Sequence, residues 1–176
     1  MAKNDNVSVN RRADIISAAI EVFAETGYYR TTTAQVAQRA GISQPYVFRF
    51  FATKELLLLA ALEASWERVA AAFRQVVATA SPDRLEQELI EAYEELLAAH
   101  RQETLLQMQA QTIQEESIRA AMQDGLREVR GIVLEAFRAQ GIANAEERTL
   151  LFLARGMLCN IAMALDLPEL MDGKRG

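Results

Sequence analysis

The sequence predicts an all-α protein: a small trihelical head at the N-terminus, joined by one long helix to an antiparallel helical body. Three observations predict it. Ala, Leu, Glu, Gln and Arg, all strong helix formers, dominate the 176 residues. Only three prolines and eight glycines interrupt them. Apolar side chains recur at steps of three and four along one stretch after another, the period of a helix with one buried face. Apolar residues make up 51% and charged residues 24%, the balance of a folded chain rather than a disordered one.

Taken in order, residues 1–10 are polar and without periodicity, which predicts a flexible arm, and Arg11 and Arg12 could follow a phosphate strand. A first helix is expected over Arg12–Thr26, striped by Ile15, Ala18, Ala19, Val22 and Phe23 and closed by Gly27. Thr32 stands three residues before Gln35, the spacing of a capping box, so a short helix starts there. Its inner face is Val36, Ala37 and Ala40, and Gly41 supplies a sharp turn. Ser43 can cap the next helix, with Pro45 in its first turn. Val47 and Phe51 point inward, leaving Gln44, Pro45, Tyr46 and Arg49 outside. This is the layout of a helix-turn-helix DNA reader.

Lys54 to about Ala78 reads as one long helix with a stripe of Leu56, Leu59, Leu62, Trp66, Val69, Phe73 and Val76. Lys54 and Trp66 would lie roughly 18 Å apart on that rod, which makes it a natural lever. Ser81-Pro82 signals the next helix start, with Leu85, Leu89, Ala92, Tyr93, Leu96 and then His100 along its stripe. A shorter helix is expected over Arg101–Gln114, a long one over about 115–140, and a last one over 144–165 capped by Asn144. Pro168 and a charged tail end it. Leu150–Leu165 is apolar nearly all round, so both of its sides need cover. A second subunit supplies that cover if the chain is a homodimer through its last two long helices.

The net charge of −5 argues at first against a nucleic-acid partner. Its distribution argues otherwise. Residues 1–60 carry seven Lys/Arg against five acids, and the remainder twelve against nineteen, so a mildly basic head sits on an acidic body. One cysteine, Cys159, excludes an internal disulfide and a multi-cysteine metal site. No signal peptide or membrane span is evident, which predicts a cytoplasmic protein without a membrane partner. Neither a nucleophile–base pair, a metal cluster nor a phosphate loop stands out, so neither an enzyme nor a cofactor is expected.

Asp14–Leu62 resembles the TetR family of bacterial transcriptional repressors. The residues that carry the likeness are Phe23-Ala24, Gly27-Tyr28, Thr31-Thr32, Val36-Ala37, Ala40-Gly41-Ile42-Ser43, Phe51 and Lys54-Glu55-Leu57. The resemblance implies two domains, residues 1–53 for DNA binding and 54–176 for effector binding and dimerisation. It implies a nucleoid-associated repressor, released from a palindromic operator when a small molecule binds. By motif position, Gln44, Pro45 and Tyr46 face base edges, Thr32, Thr33 and Lys54 hold phosphates, and Arg49 replaces contacts that Phe48 and Phe50 cannot make. The resemblance also implies an effector pocket in the body. Trp66, Phe73, Tyr93, Met108, Met122 and Phe137 suit its wall, and His100, Gln107 and Gln111 could orient a ligand. The rival expectation is a helical dimer serving as an adaptor or as a nonspecific nucleoid-associated DNA binder.

Overall fold

A computed structural model describes residues 2–171; the charged tail beyond Met171 lies outside the described residues. Among these residues are eight α-helices and no strand. The helices are α1 (Ala2–Thr26), α2 (Thr33–Arg39), α3 (Gln44–Phe48), α4 (Lys54–Thr79), α5 (Leu85–Ala99), α6 (Arg101–Ala110), α7 (Glu116–Ala139) and α8 (Ala145–Ala164), followed by a 3-10 turn at Pro168–Met171. Two compact units form. One takes the chain up to Ser65 together with Leu106–Met122; the other takes Trp66–Leu105 together with the chain from Gln123 onward. The helices α4, α6 and α7 each contribute to both.

The first unit begins with a correction. Helix α1 starts at Ala2, so the stretch expected as a flexible arm continues the helix. Once a nucleus exists, each added residue gains one hydrogen bond, and periodicity is not needed to extend a helix. Helix α1 ends as expected: the Gly27 N–H donates to the Phe23 carbonyl at 2.8 Å, and Gly27 takes φ +76, a region that suits a residue without Cβ. Ile15, Ala19, Val22 and Phe23 are buried, with Val36 and Ala37 of α2 and Val47 of α3. In α4, Leu57 and Leu58 are buried while Leu56 is exposed, which corrects the first turn of the expected stripe; Leu62, Val69 and Phe73 are buried as expected. The segment 106–122 is bonded into this unit. Gln109 Nε2 donates to the Ala24 carbonyl at 2.7 Å, Tyr29 Oη donates to Glu115 at 3.1 Å, and Ser117 Oγ donates to Glu55.

The second unit centres on Val69 and Phe73 of α4, Leu85 and Leu89 of α5, Val133 and Phe137 of α7, and Phe152 of α8. Phe73–Phe152 and Phe137–Phe152 meet edge to face at 5.6 and 6.5 Å, the geometry that ring quadrupoles favour. Gly125 is a packing requirement: a Cβ there would lie 2.4 Å from the Trp66 ring. Ser81 and Pro82 open a tight turn rather than α5 itself, which starts at Leu85. Helix α6 stops at Ala110, four residues short of the expectation, and leaves Gln111 and Thr112 in a turn. Asn144 does precede α8, but with φ 54 and without a side-chain cap bond.

Candidate nucleic-acid interface

The local chemistry of α2 and α3 leaves one set of side chains outside and fixes the backbone beneath it. At the start of α2 the Gln35 N–H donates to Thr32 Oγ1 at 3.3 Å, and the Thr32 N–H donates to Gln35 Oε1 at 2.8 Å, the reciprocal pair of a capping box. Gly41, at φ +65, lets the Ile42 N–H return to the Ala37 carbonyl at 3.0 Å, which ends α2 and turns the chain. Helix α3 is then held by Val47 and, just beyond it, by Phe51, both buried. Ser43 precedes α3 in extended conformation, without the side-chain cap expected of it.

The expected DNA-facing residues divide into free and engaged groups. Gln44, Pro45 and Arg49 are exposed and Tyr46 is half-buried. The Arg49 guanidinium lies 5.3 Å from the Tyr46 ring centre, and the Phe50 ring meets Tyr46 edge-on at 5.4 Å. A cation over an aromatic face is attracted by the ring quadrupole, so Tyr46 orients Arg49 while leaving its charge available. Thr32 is exposed. Thr33 is only 8% exposed, and its hydroxyl accepts a hydrogen bond from Gln44 Nε2 at 2.8 Å. Lys54 Nζ donates to the Tyr28 carbonyl at 2.8 Å and sits 4.5 Å from the Tyr28 ring centre.

Other cations of the head are occupied differently. Arg39 bonds both Glu21 and Glu25, which holds the Glu25 carboxyl below its usual range and ties this guanidinium to the protein. Arg12 lies over the Phe51 ring at 5.2 Å, a contact for which the sequence carried no signal.

Of the residues expected to line an effector pocket, Trp66, Phe73, Tyr93, His100 and Phe137 belong to the second unit and Gln107, Met108, Gln111 and Met122 to the first. In the second unit, Phe73 and Phe137 are fully buried core. Tyr93 donates from its hydroxyl to Asn160 Oδ1 at 2.8 Å, and burial raises its phenol pKa. Trp66 Nε1 is buried, without a hydrogen-bond partner among the described residues. His100 ends α5 half-buried, with Nδ1 3.6 Å from Glu103, a carboxylate that also takes the Arg68 guanidinium at 3.0 Å. It borders a groove of about 400 Å³ with Val76, Ala92 and Leu96. In the first unit, Gln107 and Met122 are buried, Met108 is half-buried and Gln111 is exposed. The Gln107 amide donates to Ser65 Oγ at 3.1 Å. A larger groove of the second unit, about 580 Å³, is walled by Leu97, Arg101, Cys159, Ala162, Met163 and Met171, none of which was expected.

Residues 15–61 match the family model described as "Bacterial regulatory proteins, tetR family". That span runs from the core of α1 through α2 and α3 into α4. Over residues 15–61 this chain is therefore similar to the TetR family. Among its relatives, the HTH-type transcriptional activator FasR of Mycolicibacterium smegmatis is 34% identical over 74 residues, 42% of this chain and 34% of FasR. The HTH-type transcriptional repressor KstR2 of Mycobacterium tuberculosis is 30% identical over 106 residues, 59% of this chain and 53% of KstR2. The matches therefore span from about a third to about half the length of these two relatives. FadR from Bacillus subtilis, solved in complex with stearoyl-CoA, superposes with a TM-score of 0.72 over 92% of this chain and 98% of that one. At 19% identity this likeness concerns the fold alone.

Phe48 is exposed, and Phe50 serves as a ledge for Tyr46. Among the described residues no helix is long and apolar enough to cross a membrane.

Proposed function

We propose that this protein is a sequence-specific, DNA-binding transcriptional regulator of the TetR family. It works as a homodimer and a repressor, released from a palindromic operator by a small-molecule effector. The observation that carries the proposal is the outward row Gln44, Pro45, Tyr46 and Arg49, displayed on and just beyond a short helix anchored by Val47 and the following Phe51. A glutamine amide can bond an adenine edge at two points, and Pro45 and Tyr46 can press on a thymine methyl or the sugar chain. Arg49 and Thr32 take phosphates. The Lys54 ammonium has three N–H donors and directs them to the Tyr28 and Tyr29 carbonyls, with one left for a phosphate at the start of α4.

Dimerisation is supported by α8. Leu150, Leu151, Met157, Leu158, Ile161 and Leu165 lie exposed along its outer side, with Leu150 at 66% and Leu165 at 65%. Helix α7 offers less: its outer side is mainly charged, with Leu126 the large apolar residue exposed on it. Two recognition helices in a dimer would enter successive major grooves about 34–36 Å apart. An effector favours the dimer arrangement that misfits this spacing. A swing from 1:99 to 99:1 requires about 5.5 kcal/mol of differential affinity. The stearoyl-CoA bound to FadR and the apolar walls of this body support an effector with a long apolar part.

Titration of a DNA duplex carrying a palindrome from upstream of the gene tests the proposal. Binding at least a hundredfold tighter than to random duplex is expected, and long-chain acyl thioesters should release it. Arg49→Ala should weaken binding to every sequence and lower the salt slope by about one. Equal affinity for palindrome and random DNA would leave only a nonspecific binder.

A further inference from the structure

The head contains one side-chain hydrogen bond that joins its two short helices through the reading face. Gln44 Nε2, on the first residue of α3, donates to Thr33 Oγ1, on the first residue of α2, at 2.8 Å. We propose that Thr33 is a positioning residue for base readout: its hydroxyl aligns the Gln44 carboxamide so that an oxygen acceptor and an N–H donor face the edge of an adenine. The inference rests on the DNA-reading function proposed above and assigns Thr33 a role other than holding a phosphate.

The burial pattern supports this division of labour. Thr33 is 8% exposed, so little of its surface can reach a phosphate oxygen, whereas its neighbour Thr32 is exposed. A threonine in a helix has only two common rotamers, and burial restricts Thr33 further, so its hydroxyl has little freedom to move. Gln44 is long and exposed, and without an anchor it would surrender rotamer freedom on meeting DNA. The bond to Thr33 removes that freedom beforehand.

The chemistry of the amide then sets which base is read. A carboxamide carries two N–H donors and one carbonyl oxygen. With one N–H engaged by Thr33, the second N–H and the oxygen remain as a donor–acceptor pair. Adenine presents the complementary pair in the major groove, the N7 acceptor and the N6 amino donor. The reverse orientation, with the oxygen accepting from the Thr33 hydroxyl, would turn two N–H donors outward and suit guanine N7 and O6. In the structure the Thr33 oxygen accepts from the amide, which is the first of these two orientations.

The test compares the full-length wild type with Thr33→Val, which keeps the shape and removes the hydroxyl, and with Thr33→Ser, which restores it. Binding is measured on operator duplexes varied at each base step and across a salt series. Wild type should prefer adenine at one step. Thr33→Val should lose about tenfold of that preference, Thr33→Ser should recover it, and the salt slope should not move. In a Gln44→Ala background, Thr33→Val should have no further effect on that step. In the free protein, the side-chain amide protons of Gln44 should lose their hydrogen-bonded chemical shift in Thr33→Val, a readout independent of DNA.

Uniform weakening on all duplexes, with the salt slope reduced by about one, would make Thr33 a phosphate ligand and overturn the proposal. So would a guanine preference at the step, or an adenine preference untouched by Thr33→Val. A wild type without preference at any step would overturn the DNA-reading function as well, and so separates the two failures.

Discussion

Helix α3 is five residues long and buries one of them, Val47; helix α8 runs for twenty and carries apolar residues on both its inner and outer sides. In α3 the buried residue is an anchor and the exposed ones form a polar and aromatic face, so its contribution to function is a set of donors, acceptors and rings. In α8, Phe152, Cys159 and Ala162 serve the subunit's own interior, while Leu150, Leu151, Ile161 and Leu165 remain uncovered. An outer row of this kind fits the dimer interface proposed above. A helix can therefore be functional through what it displays or through what it leaves unsatisfied. Only the second kind asks for another macromolecular surface of apolar character.

The contrast can be broken most forcefully on the outer side of α8. Leu150→Glu combined with Ile161→Glu places four carboxylates per dimer where apolar contacts are proposed, each buried side chain being worth about 1.5–3 kcal/mol. The dimer dissociation constant, followed by sedimentation equilibrium, should rise by several orders of magnitude while the subunit stays helical. A variant that remains dimeric at low micromolar concentration would move the interface elsewhere. On the inner side of the same helix, Phe152→Ala removes a ring that touches Phe73 and Phe137 and should cost about 3–5 kcal/mol in denaturant unfolding. A loss near zero would mean that the two sides of α8 are not distinct. The smallest effect belongs to the reader. Thr32→Ala removes the capping box at α2 and should lower stability by about 1 kcal/mol, seen as a modest drop in melting temperature.

Much of the reader was legible in the sequence because its chemistry is local. The Thr32–Gln35 spacing, the turn at Gly41 and the inward pair Val47 and Phe51 all depend on residues within a few positions of one another. Less of the body was legible. Four consecutive leucines, Leu56–Leu59, left the phase of α4 open, and packing put Leu57 and Leu58 inside. Phe73 and Phe137 sit at helical spacing, which suits a core more often than a pocket wall, and both are fully buried. The bonds Gln44–Thr33 and Gln109–Ala24 join positions 11 and 85 residues apart, and no spacing rule announces either.

Those distant bonds bear on how the chain comes into being. The compact unit that carries the reader is discontinuous: its first 65 residues are joined by Leu106–Met122. Gln109, Glu115 and Ser117 reach Ala24, Tyr29 and Glu55 only after the intervening chain has been made. At roughly 5–20 residues per second, the ribosome needs roughly three to eleven seconds between releasing Ser65 and releasing Met122. During that interval the three N-terminal helices exist without these braces. The last fastener of the reader is thus a segment from the middle of the chain. A transplant of the first 65 residues onto another protein would leave that fastener behind.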